Sequence, residues 1–171
     1  MSARVTTGRG TSTQNYSTPK EFMVAVERLF GPIHHDVAAS RENTKGPSYF
    51  DEAKDGLAQA WHDIGQQGAK RCLLWCNPPF SHIDEWAKKC AEEAALGAEI
   101  LLLVPIATSK WFGFHVACAV VDIYLLEGRM SFIEGDGYPK DLMLVHYHHR
   151  PTPSRRVFLW AWRTDKPCHQ I

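Results

Sequence analysis

RCLLWCNPPF, residues 71–80, is a compact apolar run from Arg71 to Cys76 that stops abruptly at Asn77-Pro78-Pro79-Phe80. Two prolines in a row end it, because each lacks a backbone N–H and fixes its own φ, so neither a helix nor a sheet interior continues through them. The run reads as a short buried strand, followed by a stiff loop. Downstream, Ser81 opens a helix with Ile83, Trp86, Ala87, Cys90 and Ala94 on one face; Glu99 to Pro105 is a second strand-length apolar run, Ser109 to Cys118 a further helix and Val120 to Leu126 a further strand. Upstream, Thr18-Pro19-Lys20-Glu21 has the form of a helix start, with Thr18 as N-cap, Pro19 in the first helical position and Glu21 reaching back as in a capping box. Apolar residues recur at Phe22, Ala25, Val26, Leu29 and Phe30, carrying that helix to about Gly31. Pro32 to Ala39 is a candidate strand around Asp36, and residues 40–50 read as a loop with room for a short strand near Tyr49.

Strands alternating with helices at this spacing predict an α/β fold with a mostly parallel sheet. The last third differs. Leu142 to Tyr147 and Arg156 to Arg163 are strand-like around Pro151-Thr152-Pro153-Ser154, which predicts an antiparallel hairpin at one sheet edge. The expected organisation is a flexible polar arm over residues 1–15 and a single domain over residues 16–171.

The 171 residues suffice for a packed core without disulfide or metal staples. No window is apolar enough for a transmembrane helix, and the polar N-terminus lacks the centre of a secretory signal. Five cysteines, most in apolar stretches, suggest reduced thiols and a cytoplasmic setting. The net charge of zero conceals a pattern. Residues 1–20 carry Arg4, Arg9 and Lys20 with no acid, and residues 148–171 carry Arg150, Arg155, Arg156, Arg163 and Lys166 against Asp165 alone. Basic ends on an acidic body suit a protein that grips a polyanion at one edge, and equally suit solvated termini.

At the carboxyl end of a strand in an open α/β sheet, Asn77 faces the ligand crevice. Its side-chain oxygen can accept one hydrogen of a planar NH2 group, the Pro78 carbonyl can accept the other, Pro79 stiffens the loop and Phe80 offers a ring face. Such a site would draw electron density onto an amino nitrogen attacking an electrophilic methyl. Taken alone, the tetrapeptide also fits an ordinary strand-ending turn.

Further motifs accompany it in order: Asn15-Tyr16-Ser17-Thr18-Pro19, His35-Asp36-Val37-Ala38-Ala39, Asp55-Gly56-Leu57 followed by Trp61, then after Phe80 Leu103-Val104-Pro105 with Trp111-Phe112, and Gly128-Arg129-Met130-Ser131-Phe132. From about Tyr16 to about Phe132 this series resembles the Dam-like N6-adenine DNA methyltransferases of bacteriophages and prophages. The resemblance implies a Rossmann-like sheet and S-adenosylmethionine as cofactor. It places Tyr16, Thr18 and Pro19 at the cofactor's methionine end, Asp36 and Ala38 in the first-strand motif, and Asp55 and Leu57 near its adenine. Asn77, Pro78, Pro79 and Phe80 become the catalytic residues, with Asn77 also touching the cofactor. The implied substrate is double-stranded DNA with an adenine flipped out of the stack, and Arg150, Arg155 and Arg156 are expected to reach its phosphates. The implied setting is the cytoplasm of a bacterial host. One departure is that Ala38-Ala39-Ser40 stands where methyltransferases usually place a glycine-rich turn.

His146, His148 and His149, with His34, His35 and His115, invite a metal reading, but no cysteine or acid falls at zinc-ligand spacing. No metal is expected. His146 and His148, on alternate strand positions, are expected at a surface or DNA-facing edge, and Glu92-Glu93 on a solvated helix face. Two other functions fit the same residues: methylation of a protein glutamine, whose amide is also a planar NH2, and a catalytically silent nucleic-acid-binding domain of this fold.

Overall fold

A computed structural model describes residues 17–65, 72–133, 136–137, 140–148, 155–164, 166 and 168–171. Three α-helices are present among them, α1 (Lys20–Phe30), α2 (Trp61–Gly65) and α3 (Ile83–Ala95), together with ten strands. These are β1 (His35–Asp36), β2 (Ser48–Tyr49), β3 (Leu73–Cys76), β4 (Glu99–Pro105), β5 (Val121–Leu126), β6 (Ser131–Ile133), β7 (Asp136–Gly137), β8 (Leu142–Tyr147), β9 (Arg156–Trp160) and β10 (His169–Gln170). Eight strands form one sheet in the order β10-β9-β5-β8-β4-β3-β1-β2, and β6 and β7 form a separate ribbon. The fold is α/β, as expected.

Side chains alternate across β3, so Leu73 and Trp75 face one core while Leu74 and Cys76 face the other. The first core is closed by α1, whose Phe22 meets Trp75, Trp160 and Trp162 with ring centroids 6.4, 5.7 and 5.1 Å apart. The second is closed by α3 through Ala87 and Cys90, with Trp61 beneath. Burial on both faces explains why β3 reads as an unbroken apolar run.

β1 pairs in parallel with β2 on one side and β3 on the other, β3 with β4, and β5 with β9. The predicted C-terminal hairpin is absent. β8 lies inside the sheet, antiparallel to both β4 and β5, and β9 lies on the far side of β5. All six residues of β8 are buried. A strand buried on both faces belongs inside a sheet, where both edges of its backbone are paired. The antiparallel pair at the sheet edge is β9–β10 instead, and β9 ends at Trp160 rather than Arg163.

Other local expectations are corrected by tertiary partners. α1 starts at Lys20 with Pro19 as N-cap and no side-chain capping bond, because the Thr18 hydroxyl is engaged elsewhere. Of the strand expected over 32–39, only His35–Asp36 pairs, and the helix expected over 109–118 is a π-helical turn at Phe112–Val116. His146 and His148 are buried, His146 bonded to Glu99 at 2.8 Å and His148 placed 3.4 Å from Asp122, so neither lies on an exposed edge. Glu93 is buried too, accepting the His62 backbone N–H at 2.8 Å and pairing with Lys89 at 2.6 Å, which ties α2 to α3. Cys118 is exposed, and all five cysteines are free. No helix among the described residues is long and apolar enough to cross a membrane.

Candidate active site

β1 and β3 are parallel neighbours in register, with Asp36 opposite Trp75, so their carboxyl ends deliver Asp36 and Asn77 side by side. The chain leaves β1 towards the β2 edge and leaves β3 towards β4. The connections diverge here, and at such a switch point an open α/β sheet has its crevice. A cleft open to solvent lies at this point. Thr18, Asp36, Ala38 and Asn77, all expected site residues, line it. So do Ser17, Asn43, Lys45 and Trp75, which were not singled out.

The backbone around Asp36 is fixed on both sides. The Val37 N–H donates to the Trp75 carbonyl and the Phe50 N–H to the Asp36 carbonyl, both at 2.9 Å. The Asp36 carboxylate is buried and accepts the Ala38 N–H on Oδ1 at 3.2 Å and the Lys45 N–H on Oδ2 at 2.9 Å. Burial raises its pKa to about 6, against the opposing pull of those two N–H bonds and the Lys45 charge. The unusual first motif finds its explanation here. Among the described residues Asp55 is the one non-glycine with positive φ, so Ala38, Ala39 and Ser40 turn without needing glycine. The turn is held by the Asp36 side chain rather than by backbone freedom.

Asn77 follows β3 directly. Its Nδ2 donates to the Thr18 hydroxyl at 3.1 Å, a bond spanning 59 residues that joins the entry to α1 with the loop after β3. Pro78 is buried and Pro79 exposed. Phe80 sits edge-on to Phe132, with ring centroids 6.4 Å apart, so the Gly128–Phe132 motif meets the Asn77–Phe80 loop in space.

Asp55 and Leu57 do not line this cleft; Asp55 is exposed with φ 48°. Their segment is nonetheless seated against β1 by Gly56, where an added Cβ would lie 2.1 Å from the Val37 carbonyl oxygen. The Trp61 indole N–H donates to the Gly56 carbonyl at 2.7 Å and completes that contact. Pro19 is half-buried beside Thr18. Tyr16 and Arg150 lie outside the described residues.

Arg155 is exposed just before β9. Arg156, expected at phosphates, is engaged within the sheet. Its guanidinium grips the buried Asp122 carboxylate through two bonds, Nε to Oδ1 at 2.9 Å and a second from Nη2 to Oδ2, so its fork is committed to the sheet. Among the described residues no group of three or more His, Cys, Asp or Glu side chains is placed to hold a metal ion.

Comparison with known proteins points to one family. A family model described as DNA N-6-adenine-methyltransferase (Dam) matches residues 6–141, enclosing the motif series from Tyr16 to Phe132. A DNA N-6-adenine-methyltransferase of Escherichia phage T1 is 27% identical over 148 residues, covering 75% of this chain and 59% of the phage protein. The chain thus spans about three fifths of that relative's length. A solved structure of the Type IIL restriction-modification enzyme MmeI in complex with DNA superposes with a TM-score of 0.49 at 10% identity, over 86% of this chain and 24% of that one.

Proposed function

The chain belongs to the DNA N-6-adenine-methyltransferase (Dam) family, and on that premise we propose that it methylates the N6 amino group of adenine in double-stranded DNA, in the cytoplasm of a bacterial host. The observation that carries this reading is the pairing of Asn77 with Thr18 beside Asp36 at the β1/β3 switch point. With Nδ2 committed to Thr18, the acceptor Oδ1 occupies the other arm of the amide.

In this reading the sheet is a Rossmann-like methyltransferase sheet within one domain over residues 16–171, and the cleft takes S-adenosylmethionine. The donor set fits the amino-acid end of that cofactor: a buried carboxylate at Asp36, hydroxyls at Ser17 and Thr18, and the Asn77 amide. Tyr16, Pro19 and Ala38 complete that end, and Asp55 and Leu57, outside the cleft, would hold the adenine end. When bound, the cofactor supplies a methyl group on an already activated sulfonium. What remains for the protein is positioning. Asn77 Oδ1 and the Pro78 carbonyl accept the two N6 hydrogens of an adenine flipped from the duplex, Pro79 keeps the acceptors in place and Phe80 stacks on the base. Both acceptors withdraw positive charge from the nitrogen as it forms its new bond, so they act more strongly in the transition state than on the resting base. Arg150 and Arg155 contact phosphates, which fix the register of the duplex.

The test is to incubate the protein with unmethylated DNA and methyl-labelled cofactor, then digest the DNA to nucleosides and identify the labelled product by mass spectrometry. N6-methyladenine is expected from the wild type, with Asn77→Ala slower by roughly 100-fold or more. Label found on protein glutamine, or nowhere, would overturn the reading.

A further inference from the structure

Among the described residues one cation lines the cleft, and no recognisable motif brings it there. Lys45 lies in the loop between β1 and β2, which folds back across the end of β1. Both ends of the residue are held. Its backbone N–H donates to Asp36 Oδ2 and its Nζ donates to the Ser17 hydroxyl, each at 2.9 Å. Gly46 lets the loop pass this close, since a Cβ there would stand 3.1 Å from the backbone of His35 and Asp36. Burial pushes the Lys45 pKa down and the Asp36 charge pushes it back up.

A lysine placed only to neutralise Asp36 would put its ammonium against the carboxylate. Among the described residues no ion pair joins them, because both Asp36 oxygens accept backbone N–H groups while Nζ is drawn off to Ser17. The cleft therefore presents one carboxylate and one ammonium, held apart by separate bonds. An ammonium has three donors, and one of those of Lys45 is spent on Ser17. The complement of such a pair is an α-amino-acid zwitterion, whose ammonium meets the carboxylate and whose carboxylate meets the ammonium. We propose that Lys45 binds the methionine carboxylate of the cofactor, with Ser17 holding Nζ in position and Asp36 taking the methionine ammonium. The assignment rests on the reading of the cleft as an S-adenosylmethionine site. Its consequence is that the β1–β2 loop, and not only the strand ends, belongs to the cofactor site.

Calorimetry with two ligands isolates the contact: S-adenosylmethionine, and its decarboxylated analogue, which retains the amine and the sulfonium but has no carboxylate. Lys45→Gln is expected to weaken the full cofactor by roughly 10- to 100-fold, the range of a charge-assisted hydrogen bond. The same variant should bind the decarboxylated analogue as the wild type does, and Lys45→Arg should recover most of the affinity for the full cofactor. Equal affinity of wild type and Lys45→Gln for S-adenosylmethionine overturns the proposal. So does an equal loss for both ligands in a variant whose thermal unfolding is unchanged, since that is the result of a structural role. A wild type that binds neither ligand refutes the cofactor reading of the cleft itself, a failure distinct from loss of the Lys45 contact alone.

Discussion

The Asn77 side-chain amide donates to the Thr18 hydroxyl across 59 residues of sequence, at 3.1 Å, and Thr18 is 3% exposed. A hydroxyl in a helix-start motif thereby serves as the orienting partner of the residue proposed for catalysis. The bond ties the orientation of the amide to the entry of α1.

Thr18→Val tests that role. The variant keeps the volume and removes the hydroxyl, so the bond from the Asn77 amide is lost, at a cost of about 1 kcal/mol in urea denaturation. The maximal rate of methyl transfer should fall while the apparent KM for the cofactor changes little, and Thr18→Ser should restore the rate. A Thr18→Val enzyme with wild-type turnover would separate Thr18 from the chemistry.

The raised pKa of Asp36 gives two pH effects of opposite sign. Its folded value of about 6 exceeds the ordinary 3.8, so the folded state holds the proton more tightly than the unfolded chain. The Asp36 contribution to stability is therefore present below about 4 and is lost as pH rises to about 6, by up to roughly 3 kcal/mol. Cofactor affinity should run the other way, because a ligand ammonium requires the ionised carboxylate. Below about pH 6 it should fall by approximately tenfold per pH unit. Calorimetry and denaturation between pH 4 and 8, each with Asp36→Asn as reference, read both trends; parallel trends would show that a different group titrates.

Gly56→Ala places a Cβ 2.1 Å from the Val37 carbonyl oxygen. Backbone meets backbone there, so no rotamer relieves the clash, and the end of β1 must move. A loss of about 2 kcal/mol is expected, with weakened cofactor binding because Asp36 is carried on the displaced strand. Wild-type affinity in this variant would show that the 55–57 segment does not set the cleft.

Arg155 and Arg156 should behave differently despite being adjacent. Arg155→Ala is expected to lower the slope of log DNA affinity against log salt by about 1 at unchanged stability. Arg156→Ala takes both guanidinium bonds from the buried Asp122 carboxylate and should cost on the order of 3 kcal/mol. An Arg155→Ala variant that keeps the wild-type salt slope would show that Arg155 does not contact phosphate.

Much of this site is legible in the sequence, for local reasons. Asn77–Phe80 announces itself because two prolines abut a doubly buried strand, and Asp36 and Thr18 fall in motifs of fixed order. What escapes is set by tertiary partners. Lys45 reaches the cleft only because its loop folds back over Asp36, and a lysine between Thr44 and Gly46 carries no periodic signal. Arg156 reads as a turn-flanking cation until Asp122 is seen in register beside it. Two misreadings had signals available. Glu93 is three residues after Cys90 and seven after Trp86, which puts it on the buried face of α3. The apolar run Leu142 to Val145 lacks the alternation of an edge strand and suits an interior one.

The interior place of β8 has a consequence for biogenesis. During synthesis β1 to β4 and then β5 leave the ribosome first, yet β4 and β5 acquire a common neighbour only when residues 142–147 arrive. Until then the nascent chain carries two long apolar strands with unpaired sides, the kind of edge that recruits other chains. The sheet closes from its middle, late, so interruptions of translation before residue 142 should be more prone to aggregation than those after residue 148.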